Sequence, residues 1–267
     1  MTNPSNFQNS SALTDCQIAL ETIGKGGSIA ILSGRKVIWK RQIGAERRAA
    51  ADLAIGLDDA LRYARDQQIR LDFLSVAIGP GSFTGLRIAV TTVKTLAYAL
   101  DLPIIPIGSL AGIAIAALAK SDSDHVLVGL NAYRGQVFTA KFSRTEIFPA
   151  RISAEIPEQS DSDNSDWATR AVLIDRPQWD LHVTESGGSE CLVVCEPSIA
   201  SQQVDLVLDQ DAAINVAAGI GLAAYRRRGG TTADSGHRSD HGPYRSAFAL
   251  APSYIKLSAA EEKASER

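Results

Sequence analysis

The sequence predicts an α/β protein, a mixed β-sheet with helices on its faces, followed by a fainter echo of the same opening. Three observations carry that expectation. Strand-like runs open the chain as a three-stranded meander, helix and strand patterns then alternate, and a second apolar hairpin past residue 125 resembles the first.

The meander is read at residues 17–22, 28–32 and 36–41. Its punctuation is Gly24, Lys25, Gly26 and Gly27, then Ser33-Gly34, both tight-turn compositions. Residues 45–67 are read as a helix. Leu53, Leu57 and Leu61 recur every fourth position, alanines flank them, and charges hold the remaining face. A buried strand follows at 73–78, then the turn Gly79-Pro80-Gly81-Ser82 and a long helix over 83–100. A strand at 103–107 leads to an Ala-rich helix ending at Ala119, for which Ser109 is the expected cap.

The second hairpin is read at 126–131 and 136–142, around Ala132-Tyr133-Arg134-Gly135. Each hairpin has an apolar strand ending in a polar residue, a turn with a basic residue and Gly, and a second strand. A weak internal duplication is the inference. From 143 to 210 the pattern degrades: an acidic, Ser-rich loop spans 160–166, and 172–174 and 191–195 are short strand candidates. A helix over 211–228 closes the ordered part, with Arg226, Arg227 and Arg228 suiting the negative end of its dipole. Residues 1–16 are read as a disordered leader, 17–120 and 121–230 as two lobes, and 231–267 as linker and tail. The last helix is a candidate to pack back on the first lobe.

Composition narrows the function. A formal net charge of −3 argues against a free-standing nucleic-acid binder, which needs a basic face for phosphates. Three cysteines cannot all pair with one another and none forms a Cys-x-x-Cys, so a reduced, cytoplasmic setting is expected. The most apolar stretch, 96–119, is broken by Asp101, Pro103 and Pro106. A bilayer span needs about 20 unbroken apolar residues, so no membrane association is expected.

The segment from Gly79 through Pro80, Gly81, Ser82, Phe83, Thr84, Gly85 and Leu86 to Arg87 lies where a strand becomes a helix. Unpaired amides there suit either an anion or a tight interface turn. No Gly-Lys-Ser/Thr follows, and the third glycine comes one residue late for a dinucleotide fingerprint. His237 and His241 would share a helical face as metal ligands, but their Ser/Gly/Pro flanks argue for a loop. His125 and His182 stand alone. Cys191 and Cys195, in an apolar run, are read as buried thiols. Helix 83–100 is apolar around most of its circumference, so it needs cover on more than one side, from its own chain or from another.

As a string, residues 79–87 resemble the G-P-G-S-F-T-G-L-R hallmark of the TsaB (YeaZ-like) family, the accessory subunit of tRNA threonylcarbamoyladenosine synthesis. Ala19-Leu20-Glu21-Thr22 with Gly26-Gly27-Ser28 is similar to its opening hairpin, and the run from Lys94 to Leu110 to its K-G-L-A segment. Asn131-Ala132-Tyr133-Arg134-Gly135-Gln136-Val137-Phe138 resembles D-A-R-R-G-E-V-Y. Ala251-Pro252-Ser253-Tyr254-Ile255-Lys256 with Ala259-Ala260-Glu261 resembles its close.

The resemblance implies a two-lobed actin/Hsp70/sugar-kinase-like ATPase superfold with a degenerate active site. Glu21 and Asn131 would stand at the positions that hold magnesium and phosphates in that superfold. It implies no catalytic residue, metal or cofactor of this chain's own. Its helices 45–67 and 83–100 would pack, through Leu53, Leu57, Leu61, Phe83, Ala89, Thr92, Val93 and Leu96, against a TsaD-type catalytic subunit or a second copy. A TsaE-type ATPase would join them, with tRNA contacted within the complex. The alternative is an active enzyme of the same superfold, a metallopeptidase or a small kinase.

Overall fold

In the computed structural model, residues 15–24, 26–44, 49–148, 169–186, 190–208, 215–228 and 249–253 are described. The expected acidic loop at 160–166, His237 and His241, the 211–214 start of the last helix and the closing motif beyond Ser253 lie outside them.

The first half runs β1 (Cys16–Glu21), β2 (Gly27–Ser33), β3 (Lys36–Ile43), α1 (Ala49–Asp66), β4 (Phe73–Gly79), α2 (Phe83–Leu100), β5 (Ile104–Gly108) and α3 (Ser109–Leu118). The second runs β6 (His125–Tyr133), β7 (Gln136–Ser143), the short α4 (Arg144–Ile147), β8 (Val172–Asp175), α5 (Arg176–Ser186), β9 (Cys191–Cys195), a 3-10 turn (Pro197–Ile199), β10 (Leu206–Val207) and α6 (Val216–Arg228). The sheets are ordered β3-β2-β1-β4-β5 and β8-β7-β6-β9-β10. In each, the first strand pairs antiparallel with the second and parallel with the fourth. The duplication hinted at by two hairpins therefore extends through every strand, in the two-sheet, mixed α/β arrangement of the expected superfold.

Five layers result. α1 and α2 cover one face of the first sheet, contributing Leu53, Ala60, Ala89, Val90 and Val93 to a core with Ile18, Leu20, Ile29 and Val76. α3 and α6 fill the space between the sheets and share one apolar cluster with both. α5 covers the far face of the second sheet, where Trp179 is fully buried against Val137 and Val193. All ten residues of α3 are buried, which accounts for its apolar composition on every side. No described helix is long and apolar enough to cross a membrane.

Several boundaries move. β1 begins at Cys16, inside the expected leader, because its amide is held by Asp72 Oδ2 at 2.8 Å. Ser109 does not cap α3: Gly108 is the cap residue and makes no side-chain bond, and the buried Ser109 hydroxyl has no hydrogen-bond partner. Asn215 starts α6 instead, its Oδ1 accepting from the Ala218 amide at 2.9 Å. The three arginines at its end make specific contacts beyond the dipole: Arg226 donates to the Ile147 carbonyl, Arg227 to the Pro106 carbonyl, and Arg228 pairs with Asp15 over the Phe73 ring. Burial lowers the Arg226 pKa. Cys16, Cys191 and Cys195 are buried thiols outside any disulfide, and desolvation pushes Cys195 up to about 12.

Candidate functional site

β1 ends on Glu21 because the strand is buried on both faces and the chain must turn at its edge. Glu21 is itself buried, so its carboxylate needs partners. Oε2 accepts from the Ile23 amide at 3.0 Å and Oε1 from Ser28 Oγ at 2.6 Å. Ser28 Oγ in turn accepts from the Ala217 amide in the first turn of α6, at 2.9 Å. One carboxylate thus ties the first hairpin to the helix between the sheets. Glu21→Ala leaves the Ser28 hydroxyl and the Ile23 amide without their acceptor. An expected loss of about 2 kcal/mol would be read by urea unfolding.

A cleft of about 650 Å³ opens between the halves. One wall is the β1–β2 turn with Thr22 and Ile23, the end of β3 with Gln42, and the start of α2 with Ser82, Thr84 and Gly85. Opposite stand Asn131, Tyr133, Glu196, Pro197 and Ser198. Asn131 is committed locally: its amide N–H donates to Glu196 Oε2 at 2.8 Å, its Nδ2 to Ser198 Oγ at 3.0 Å, and its Oδ1 accepts from the Tyr133 amide at 2.8 Å. Glu196 and Ser198 were missed from sequence. Their signal was positional, since Glu196-Pro197-Ser198 leaves β9 as Gly79-Pro80-Gly81-Ser82 leaves the equivalent β4.

The motif from Gly79 to Arg87 forms the turn into α2, with a cis peptide between Gly79 and Pro80. Ser82 Oγ caps the helix by accepting from the Gly85 amide at 3.2 Å, taking a first-turn donor that a phosphate would use. The loop is welded to the first hairpin: Ser82 N donates to the Ile23 carbonyl at 2.9 Å and Thr22 Oγ1 to the Gly85 carbonyl at 2.6 Å. Gly81 lies against Ile23, and a Cβ on Gly85 would stand 1.8 Å from the Thr22 carbonyl oxygen. Arg87, exposed, stacks 3.9 Å above the Phe83 ring.

These residues do not fit the magnesium-bound phosphates of the superfold. Both oxygens of Glu21 are engaged inside the chain, Asn131 carries no charge, and a hard cation favours carboxylate oxygen. No group of three or more His, Cys, Asp or Glu side chains suited to a metal occurs among the described residues.

Of the eight side chains expected at a helix-pair interface, Leu53, Ala89, Val93 and Leu96 turn inward and are buried in this chain's own core. Leu57, Leu61 and Thr92 are half-buried, and Phe83 is exposed. α1 and α2 lie on one sheet, and the sheet takes the most apolar stripe of each. The outward stripe carries Ala54 and Ile55 on α1 and Phe83, Arg87, Thr91, Thr95 and Tyr98 on α2.

Comparisons with known proteins follow the same lines. Residues 44–167 match the TsaD family, described as tRNA N6-adenosine threonylcarbamoyltransferase. The tRNA threonylcarbamoyladenosine biosynthesis protein TsaB of Haemophilus influenzae is 28% identical over 130 residues, 49% of this chain and 55% of that one. The TsaB protein of Bacillus subtilis is 36% identical over 107 residues, 40% of this chain and 44% of that one. The match thus spans about half the length of these curated relatives. A solved structure titled YeaZ from Pseudomonas aeruginosa superposes with a TM-score of 0.57 at 17% identity, covering 91% of this chain and 100% of that one, a likeness of fold. By its motifs, its two-sheet architecture and these relatives, the chain is a TsaB/YeaZ-like protein.

Proposed function

We propose that this chain is an accessory, non-catalytic subunit in the synthesis of threonylcarbamoyladenosine on tRNA. It offers the outer face of α1 and α2 to a TsaD-type catalytic subunit. One observation carries the reading. Among the described residues, seven large apolar side chains are exposed, and four of them, Ile55, Phe83, Tyr98 and Leu100, lie on these two helices. Such clustering marks a surface that another polypeptide covers. The small side chains Ala54, Thr91 and Thr95 between them allow close helix approach. The names borne by the relatives supply the pathway.

In this reading the partner performs the transfer in the cytoplasm, a TsaE-type ATPase joins the pair, and tRNA is engaged by the assembled complex. A homodimer through the same helices competes with the heterodimer. The buried and hydrogen-bonded Glu21 and the neutral Asn131 support a non-catalytic role. The test is twofold. Size-exclusion chromatography of the chain with its TsaD-type subunit is expected to give a heterodimer. Calorimetry of the isolated chain with Mg-ATP is expected to give no binding below the millimolar range, whereas micromolar binding would favour the active-enzyme alternative.

A further inference from the structure

Past α6 the chain returns to the opposite face of the first sheet, and residues 249–253 lie there against α2. Leu250 is 4% exposed and belongs to the apolar layer shared by α1, α2 and the sheet, while Ala249 and Ala251 on either side of it face outward. Lys94 of α2 donates from Nζ to the Leu250 carbonyl at 3.1 Å. Three residues on, the Ser253 amide donates to the Ile78 carbonyl at 2.7 Å, at the last turn-in of β4. There the Ser253 carbonyl oxygen occupies the space of a missing side chain: a Cβ on Gly79 would meet it at 2.5 Å.

Neither Lys94 nor Gly79 has a part in the cleft, yet both belong to the segments of the sequence that looked most specific. The structure assigns them a common task. We propose that residues 249–253 are a strap, gripped by Lys94 and Gly79, that sets the position of α2 and its N-terminal loop, so that closure of the strap and docking of a partner on α2 are coupled. The proposal rests on the docking face described above, but its first arm does not depend on it.

The mechanics follow from the contacts. Leu250 wedges the layer beneath α2, the Lys94 bond fixes the strap along the helix, and the Ser253 bond ties it to the β4 exit. The same loop is bonded through Ser82 and Gly85 to the first hairpin, so slack in the strap reaches the cleft wall as well as the helix. Elements held by a few local bonds open sub-globally at a cost below that of full unfolding, and such openings are read by amide exchange.

The experiment uses the full chain with Lys94→Met, which keeps the apolar stem and removes the bond, and separately Leu250→Ala. Hydrogen exchange mapped by mass spectrometry is expected to quicken about tenfold in α2 and residues 79–86 of both variants, and to stay unchanged in α5. Affinity for the TsaD-type subunit is expected to fall in both, with the outward stripe of α2 untouched. Unchanged exchange in α2 in both variants would overturn the strap. So would faster exchange in α2 with undiminished affinity, since the coupling would then be absent. If the unaltered chain binds no TsaD-type subunit, the functional reading fails, and faster exchange in α2 alone would still establish the grip.

Discussion

Gly219→Ala is expected to cost about 3 kcal/mol or more of folding stability. α3 and α6 cross at Gly219 and Gly112, and a Cβ at Gly219 would stand 1.9 Å from the Gly112 carbonyl oxygen. The obstacle is backbone, so no rotamer change relieves it. Relief requires the helices to separate, and that opens the shared core between both sheets. Measured by urea denaturation, the midpoint should fall sharply while cooperativity is kept. Ala223→Ser in the same helix, buried but at a position that already accommodates a Cβ, should cost less. A Gly219→Ala protein as stable as the parent would mean that the two helices are not in van der Waals contact at this point.

A negative charge on the outward stripe, by contrast, should leave the fold alone and remove the partner. Ile55→Glu on α1 and Thr91→Glu on α2 replace exposed side chains, so folding stability should change by no more than about 0.5 kcal/mol. In the complex each carboxylate would be buried against small and apolar groups, the one at position 55 with no cation a turn away and the one at position 91 with the Arg87 guanidinium to share. The expected loss of affinity for the TsaD-type subunit is about 100-fold or more, measured by titration calorimetry. Ala89→Glu and Val93→Glu are poor probes of docking, because both residues are buried against the chain's own sheet and such variants would fail by unfolding. Full affinity in the Ile55 and Thr91 variants would move the partner to another surface. A homodimer through the same stripe would dissociate in the same variants, which sedimentation can follow.

Most elements of the first half were legible within a residue or two, because strong alternation and strong helical periodicity were separated by Gly, Pro and Ser. The second half was not. α5 presents only Trp179 and Val183 to the core, too few to write a period into its eleven residues, and β10 is two residues long. The orientation of α2 was hidden for a different reason. A helix apolar on most sides carries no mark of which side meets its own sheet, and that is decided by strands far away in sequence. The site was half legible. Glu21 and Asn131 stood out at hairpin ends, but the hydrogen-bond partners that hold them did not. Glu21 reaches α6 through Ser28, across 189 residues, and Asn131 reaches Glu196 across 65. No local pattern encodes such pairs. Ser109 had the right chemistry for a cap at the right place, and the backbone of Gly108 took the position instead.

The placement of α3 and α6 bears on how the chain is made. Each closes one half in sequence, yet both sit in the middle layer, and α6 packs on β1, β2 and β4. The part of the first sheet's inner face that α6 covers therefore stays open to water while the ribosome works through about a hundred further residues, and is sealed only when α6 has emerged. A fragment stopping at residue 120 should be sticky and poorly soluble, and the nascent protein should lean on chaperones late, not early, in its synthesis.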